Sequence, residues 1–301
     1  MNKTGLVLGF AEYAPQGQRL AEALGCPYAQ IQVHRFPDGE RLVTLPPELP
    51  EEIVFCRSLN DPDHKLIELL LGAETARAAG ARRLTLVAPY LCYMRQDIAF
   101  HPGEAVSQRI IGRLLAGLFD RVLSVDAHLH RIDRLGQALP GIQAINLSAG
   151  PLFAECLGQR SDQPLLVGPD GESAQWVETI ARAAGLESVV ASKRRLGDQK
   201  VEVRLPDGAY RERAIVLVDD IISTGNTLMR VTEQLSAAGA GSVEALVTHA
   251  LFDAETGGRL QAAGIRKVWS TDSVPHPSNH LWLAPLLARA LTDSDPEQTP
   301  E

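Results

Sequence analysis

The sequence predicts an α/β protein of two domains, each built on a mostly parallel sheet flanked by helices. Three observations predict it: short apolar runs alternate with helix-period patterns, those runs are near-continuously apolar, and the pattern starts again after about residue 146. In order, Gly5–Phe10, Ile53–Arg57, Leu84–Ala88 and Val122–Val125 read as strands. Leu66–Ala79 and Ala105–Leu118 read as helices from their i, i+3, i+4 apolar spacing. In the second half Leu165–Val167, Ser188–Ser192, Ile215–Val218 and Ser242–Thr248 read as strands, and Glu172–Ala184 and Thr227–Ala238 as helices. The halves echo each other: Leu86-Val-Ala-Pro-Tyr90 against Leu166-Val-Gly-Pro-Asp170, and an acid near a strand's end at Asp126 and at Asp219. One larger doubly wound sheet is the competing architecture. The expected boundaries are 1–145 and 146–288, with a polar, acidic, flexible tail over 289–301.

Bulk composition narrows the function. The 301 residues carry a formal net charge of −8, which argues against broad nucleic-acid binding but leaves room for a local basic pocket. No apolar run approaches the ~18 residues of a membrane span, and the N-terminal segment does not read as a secretory signal. Cys26, Cys56, Cys92 and Cys156 are scattered, with no Cys-x-x-Cys, so neither a zinc site nor a disulfide framework is read and a cytoplasmic setting is expected. Only five of the 29 basic residues are lysines, Lys193 among them.

The most informative stretch is Ile215-Val-Leu-Val-Asp-Asp-Ile-Ile-Ser-Thr-Gly-Asn-Thr-Leu228. In an open α/β sheet ligands bind outside the carboxyl ends of the strands. Ser223, Thr224, Gly225, Asn226 and Thr227 stand at such an end and open a helix, where backbone N–H groups and hydroxyls can hold a phosphate. Gly225 permits a tight turn with close backbone approach. Asp219 and Asp220 just ahead would repel a phosphate unless they bind something else; a ribose diol or a shared cation meets that condition. A sugar phosphate satisfies both halves of the stretch. The plain alternative is a strand–turn–helix junction with an ordinary N-cap. A nucleotide P-loop is excluded, because no Gly-Lys pair occurs in the chain.

This stretch resembles the phosphoribosyl-diphosphate-binding motif of type I phosphoribosyltransferases and of ribose-phosphate pyrophosphokinases. Further segments, in order over roughly residues 1–280, are most similar to the pyrophosphokinases. They are Arg35-Phe-Pro-Asp-Gly-Glu40, Tyr93-Met-Arg-Gln-Asp97, Ser124-Val-Asp-Ala-His128, Gly168-Pro-Asp170 and Ser192-Lys-Arg-Arg195. The form Asp-Asp-Ile-Ile-Ser-Thr-Gly and the Pro102-Gly-Glu104 segment resemble the archaeal-type branch. Two departures stand out: Ile98-Ala-Phe-His101 where basic residues often follow the Arg-Gln-Asp, and Gly171-Glu-Ser-Ala-Gln-Trp176 where paired glycines and an arginine often follow the Pro-Asp.

The resemblance implies two related phosphoribosyltransferase-like (type I) domains. It implies ATP contacts from Phe36, Asp38 and Glu40 across a subunit interface, hence a homodimer or larger homo-oligomer, and from Arg95, Gln96, Asp97 and His101. It implies a Mg²⁺ ion at His128 and Asp170, and Lys193 and Arg195, at the end of the strand Ser188–Ser192, as catalytic residues; the polar segment Leu196–Arg213 that follows, with a hairpin turn at Pro206–Gly208, reads as a flexible, positively charged flap. The implied reaction takes ATP and ribose 5-phosphate to 5-phosphoribosyl 1-diphosphate and AMP.

The residues alone leave plainer readings open. Pro37-Asp-Gly39 is a strong β-turn sequence, Arg95 reads as a solvated surface arginine, His128 as a packing residue, and the flap as an exposed hairpin. Two other functions also stay open: a phosphoribosyltransferase using 5-phosphoribosyl 1-diphosphate, and a non-catalytic, pyrophosphokinase-like regulatory subunit that binds nucleotide or regulates a partner.

Overall fold

The computed structural model describes residues 5–195 and 201–293. In chain order the elements are β1 (Leu6–Gly9), α1 (Ala14–Leu24), β2 (Tyr28–Gln30), β3 (Gln32–Arg35), β4 (Arg41–Thr44), β5 (Glu52–Cys56), α2 (Pro62–Ala78), β6 (Arg83–Val87), α3 (Ser107–Leu118), β7 (Arg121–Val125) and β8 (Gln143–Leu147). There follow α4 (Gly150–Gly158), β9 (Leu165–Gly168), α5 (Ala174–Ala184), β10 (Ser188–Val190), β11 (Ser192–Arg195), β12 (Val201–Arg204), β13 (Ala214–Ile222), α6 (Asn226–Ala237), β14 (Ser242–Ala250), α7 (Ala254–Ala262), β15 (Ile265–Thr271), β16 (Asn279–Leu281) and α8 (Ala284–Thr292).

These elements form two compact units. The first takes residues 5–147, Ser273–Pro275 and 282–293; the second takes Ser148–Asp272 and His276–Leu281. The first unit holds a six-stranded sheet in the order β2-β1-β5-β6-β7-β8, parallel throughout, and the second a six-stranded parallel sheet in the order β10-β9-β13-β14-β15-β16. Each unit adds an antiparallel hairpin at the same point in its order, β3–β4 and β11–β12. The repetition is metric as well as topological. A constant 160 residues separates Ala14 from Ala174 at the helix starts, Tyr28 from Ser188, and Gln32 from Ser192.

The strands form where the sequence is apolar on both faces. Leu6, Val7 and Leu8 of β1 and Ile215, Val216, Leu217 and Val218 of β13 are all buried, as strands covered by helices on both sides require. Each unit has its own apolar cluster, one around Phe55, Leu86 and Phe119, the other around Leu217, Val231 and Val247.

Four expectations change. The chain beyond residue 281 returns to the first unit, where α8 buries Ala284, Leu287 and Ala288 and packs against α1. Arg121 donates hydrogen bonds to the carbonyls of Ala290 and Leu291, closing that helix's C-terminus. Residues 289–292, expected in the tail, are therefore helical; 294–301 lie outside the described residues. The run Ser188–Ser192 is not one strand, because buried Ala191 donates to the Gly168 carbonyl and the chain there leaves the sheet for the hairpin. Ile31 does the same with Gly9 in the first unit. The β11–β12 hairpin pairs Arg195 with Val201, so Pro206–Gly208 follows the hairpin instead of turning it; the flap residues 196–200 lie outside the described residues. Finally, β13 continues through both aspartates to Ile222, paired with β14 as far as Ala250.

Candidate active site

In the second unit three carboxylates gather at the carboxyl end of the sheet. Asp170 follows β9 and caps a one-turn 3₁₀ helix, its Oδ1 accepting from the Glu172 N–H at 3.1 Å. Gly168 is required two residues earlier, since a Cβ there would lie 2.4 Å from the Ser173 hydroxyl, which itself donates to the Asp170 carbonyl at 2.7 Å. Asp219 and Asp220 come from the adjacent strand β13. Burial raises the Asp219 carboxyl well above the ordinary carboxylate range. The charges of Asp220 and Asp170 and a carboxyl–carboxyl hydrogen bond to Asp220 add to this, and the Asp220 N–H, 3.0 Å from Asp219 Oδ1, works against it. Asp219 therefore holds its proton tightly, and a bound cation would favour its release.

Two residues past Asp220 the strand ends and the chain turns through Ser223-Thr224-Gly225 into α6. Gly225 is the N-cap, with φ +68°, and a Cβ there would meet Leu260 Cδ2 at 2.8 Å. Both the left-handed backbone and the close helix α7 demand glycine. The first N–H groups of α6 have no intrahelical acceptor, and Ser223, Thr224 and Thr227 stand beside them at the positive end of the helix dipole, a setting that can take an anion. Asn226 is engaged from the side: α7 brings Arg259, whose Nη2 donates to Asn226 Oδ1 at 3.0 Å. Arg259 was invisible as a site residue in the sequence, because only the packing of α7 on α6 brings it there.

In the first unit, the hairpin residues β3 and β4 lead to an exposed tip. Phe36 is 39% exposed, with its ring edge-on to His34 at 4.7 Å. The tip is the β-turn the sequence suggested: Gly39 has φ +99°, Gly39 N–H donates to the Phe36 carbonyl, and Asp38 Oδ1 accepts from Glu40 N–H at 3.1 Å. A turn that holds Phe36, Asp38 and Glu40 outward is also what a base-binding tip needs.

The segment after β6 divides the four residues expected on ATP. Tyr93 adopts φ +59° and its hydroxyl donates to Asp63 on α2, anchoring the segment. Arg95 is exposed. Gln96 Oε1 accepts from the Ser107 hydroxyl at 2.7 Å at the start of α3. His101 Nδ1 sits 2.7 Å from Glu104 Oε1; that contact, with the Phe100 and His101 N–H groups, holds the Glu104 carboxyl below its usual range. Asp97 differs most from expectation. It is buried, its Oδ1 accepts from Arg131 Nη1 at 2.6 Å, and its Oδ2 is buried with no partner.

His128 follows β7. Asp126 there has φ +41°, and the Ala127 N–H donates to Asn146 Oδ1 at 2.8 Å, so the backbone leading to His128 is held from β8. The His128 and His130 Nε2 atoms are 2.7 Å apart, a spacing that needs one donor and one acceptor, so at least one ring is a neutral imidazole. His128 and Asp170 belong to different units. Lys193 and Arg195 lie two apart on β11, on one face of the hairpin, and their side chains lie outside what is described.

The duplicated parallel-sheet architecture and the glycine-capped loop after β13 define a protein with the phosphoribosyltransferase-type α/β fold. Residues 7–118 match the family of the N-terminal domain of ribose phosphate pyrophosphokinase and residues 138–273 the phosphoribosyl transferase domain. The ribose-phosphate pyrophosphokinase of Methanopyrus kandleri is 34% identical over 95% of this chain and 98% of its own length. Ribose-phosphate pyrophosphokinase 1 of Archaeoglobus fulgidus is 32% identical over 91% and 95%, and that of Methanobrevibacter smithii 30% identical over 96% and 100%. The crystal structure of phosphoribosylpyrophosphate synthetase from Mycobacterium smegmatis superposes with a TM-score of 0.81, covering 95% of this chain and 98% of that one at 23% identity, a likeness of fold. The chain belongs to the ribose-phosphate pyrophosphokinase family.

Proposed function

We propose that the protein is a ribose-phosphate diphosphokinase, transferring diphosphate from ATP to the 1-hydroxyl of ribose 5-phosphate. The 1-oxygen attacks the β-phosphorus, the bond from that phosphorus to the α–β bridging oxygen breaks, AMP leaves with that oxygen, and the hydroxyl proton passes to solvent. The observation that carries this reading is the pairing, in one unit, of a carboxylate cluster with a helix N-terminus capped by Gly225, five residues beyond Asp220. One part takes the ribose diol and the other the 5-phosphate.

The residues present fit a hard divalent cation. Within the second unit Asp170, Asp219 and Asp220 offer carboxylate oxygens to such an ion, and within the first His128 offers an imidazole nitrogen. Mg²⁺, when bound, would neutralise phosphate charge. The chain's own residues do the rest. Ser223, Thr224, Thr227 and the N–H groups after Gly225 fix the 5-phosphate, and Asn226 braces that loop through Arg259. Asp219 and Asp220 orient the ring hydroxyls. Lys193 and Arg195 on β11 supply positive charge to the transferring group, where reaction needs positioning and charge stabilisation more than covalent chemistry. Arg95, Gln96 and His101 face the nucleotide, and Phe36, Asp38 and Glu40 serve the base of a nucleotide bound by a second copy, which makes the active form at least a dimer. Among the described residues no helix is long and apolar enough to cross a membrane, and all four cysteines are free. A cytoplasmic setting accords with the free thiols.

The test is AMP formation from ATP and ribose 5-phosphate by the purified chain. Formation dependent on both substrates is expected. A chain that binds both without releasing AMP, or that releases diphosphate only when given 5-phosphoribosyl 1-diphosphate and a base, refutes the assignment.

A further inference from the structure

We propose that Arg131 is a ligand for the polyphosphate of the bound nucleotide, and that Asp97 is the residue that positions it and not itself a ligand. This rests on the reading of the first unit as the nucleotide-binding half. Asp97 stands in the segment after β6 and Arg131 in the segment after the neighbouring strand β7, so both lie at the carboxyl end of adjacent parallel strands. The side chain of Asp97 is 1% exposed and that of Arg131 51%. A carboxylate that buried cannot reach a ligand in solution; a guanidinium half in solution can.

The pair is monodentate. Arg131 Nη1 is held at 2.6 Å by Oδ1, while Oδ2 is buried and accepts nothing. One arm of the planar fork is therefore fixed, and Nε and Nη2 remain for an incoming anion. A guanidinium anchored on one side by a carboxylate and open on the other is preorganised for two phosphate oxygens. Arg95 is exposed on the same segment as Asp97, and His101 there is engaged by Glu104.

The experiment is equilibrium binding of Mg-ATP and, separately, of adenosine to the full chain and to Arg131→Gln, Arg131→Lys, Asp97→Asn and the double Asp97→Asn/Arg131→Gln, with thermal unfolding of each. Arg131→Gln is expected to weaken ATP by about 10- to 100-fold, the scale of a hydrogen bond to a charged group, and to leave adenosine unchanged. Asp97→Asn is expected to weaken ATP without weakening adenosine, and the double variant to be no weaker than Arg131→Gln, because Asp97 acts through Arg131. Equal losses for ATP and adenosine, or additive losses in the double variant, overturn the proposal. If Arg131→Gln does not fold, Arg131→Lys decides: several-fold weaker ATP with unchanged adenosine supports it, and unchanged ATP overturns it. AMP formation by the unaltered chain is scored independently. AMP with an additive cycle sinks this inference alone, no AMP with a non-additive cycle sinks only the assigned reaction, and failure to bind ATP sinks both.

Discussion

The two units use one backbone plan for opposite chemistry. In the first, β1 pairs Leu6 with Ile53 of β5; in the second, β9 pairs Leu165 with Ile215 of β13. Four residues on from each isoleucine stand Arg57 and Asp219. The N-cap of the one-turn helix after β1 is Phe10, and after β9 it is Asp170. So where the second unit sets Asp219 beside Asp170, the first lays the Arg57 guanidinium over the Phe10 ring, 3.7 Å from its centroid. Arg57 is then neutralised by Glu12 and Glu68, each at 2.6 Å. The loop after β5 is filled by the protein itself: Lys65 Nζ donates to the Ser58 carbonyl and to Asn60 Oδ1, both at 2.9 Å. The loop after β13 has small residues and a glycine in the same place. A strand end whose polar groups satisfy each other has no need of a ligand. The second unit instead sets a raised carboxyl beside two others and ahead of a glycine-capped helix start, and there the sugar phosphate is proposed to bind.

The hairpins differ in the same way. Arg35 and Val33 of β3 stand 160 residues before Arg195 and Lys193 of β11. The largest effect is therefore expected at Lys193→Ala, which should lower kcat by about 10²–10³, as loss of a preorganised donor does, while ATP binding changes little. Val33→Ala at the matching place should leave kcat within about twofold. Equal loss of kcat and ATP affinity in the Lys193 variant would remove the contrast. Next comes Gly225→Ala. Forcing φ +68° and a 2.8 Å approach to Leu260 on a Cβ should cost about 1–3 kcal/mol of strain and weaken ribose 5-phosphate at least several-fold in a binding titration, with ATP affinity unchanged.

Smaller in scale is Asp219→Asn, which should cut activity yet raise the thermal midpoint near pH 7 by ~2–4 °C, the shift that about 1 kcal/mol gives in a domain of this size. The sign follows from linkage. The Asp219 carboxyl is raised in the fold, so the stability it carries is greatest below the ordinary carboxylate pKa of ~3.9 and is lost as pH rises through the folded value. Unfolding followed against pH should lose that slope in the variant. The smallest effect is expected at Lys65→Met. Burial lowers the Lys65 pKa to about 8, so the native state gains stability as pH rises from about 8 to the unfolded value near 10.5. The variant should lack that rise and bind ribose 5-phosphate as before; weaker binding would mean the first unit's loop takes part after all.

Much of this was legible beforehand because it is local. Apolar strands and helix periods depend on neighbours in sequence, and so does the order Asp219, Asp220, then Ser223 to Thr227, since a strand end and a helix start must be contiguous in the chain. The turn at Phe36–Glu40 was legible for the same reason. Less legible was whatever depends on distant packing. Residues 289–292 read as tail because a short helix needs the α1 face and Arg121 to hold it. The Arg131 partner of Asp97 was not legible either, because the motif shows only its neighbours and the guanidinium comes from 34 positions further on.

By itself the sequence determined two parallel-sheet halves and a phosphate-loop chemistry in the second, because hydrophobic period, turn residues and charge order are written along the chain. Only the tertiary structure decided which charged side chains are already spent on one another. Arg57, Lys65 and Asp97 meet their partners inside the first unit, whereas Asp219 meets the charges of Asp220 and Asp170. The difference is electrostatic and three-dimensional: a charge's availability depends on which groups lie within a few ångströms, and those groups come from strands and helices far apart in the chain.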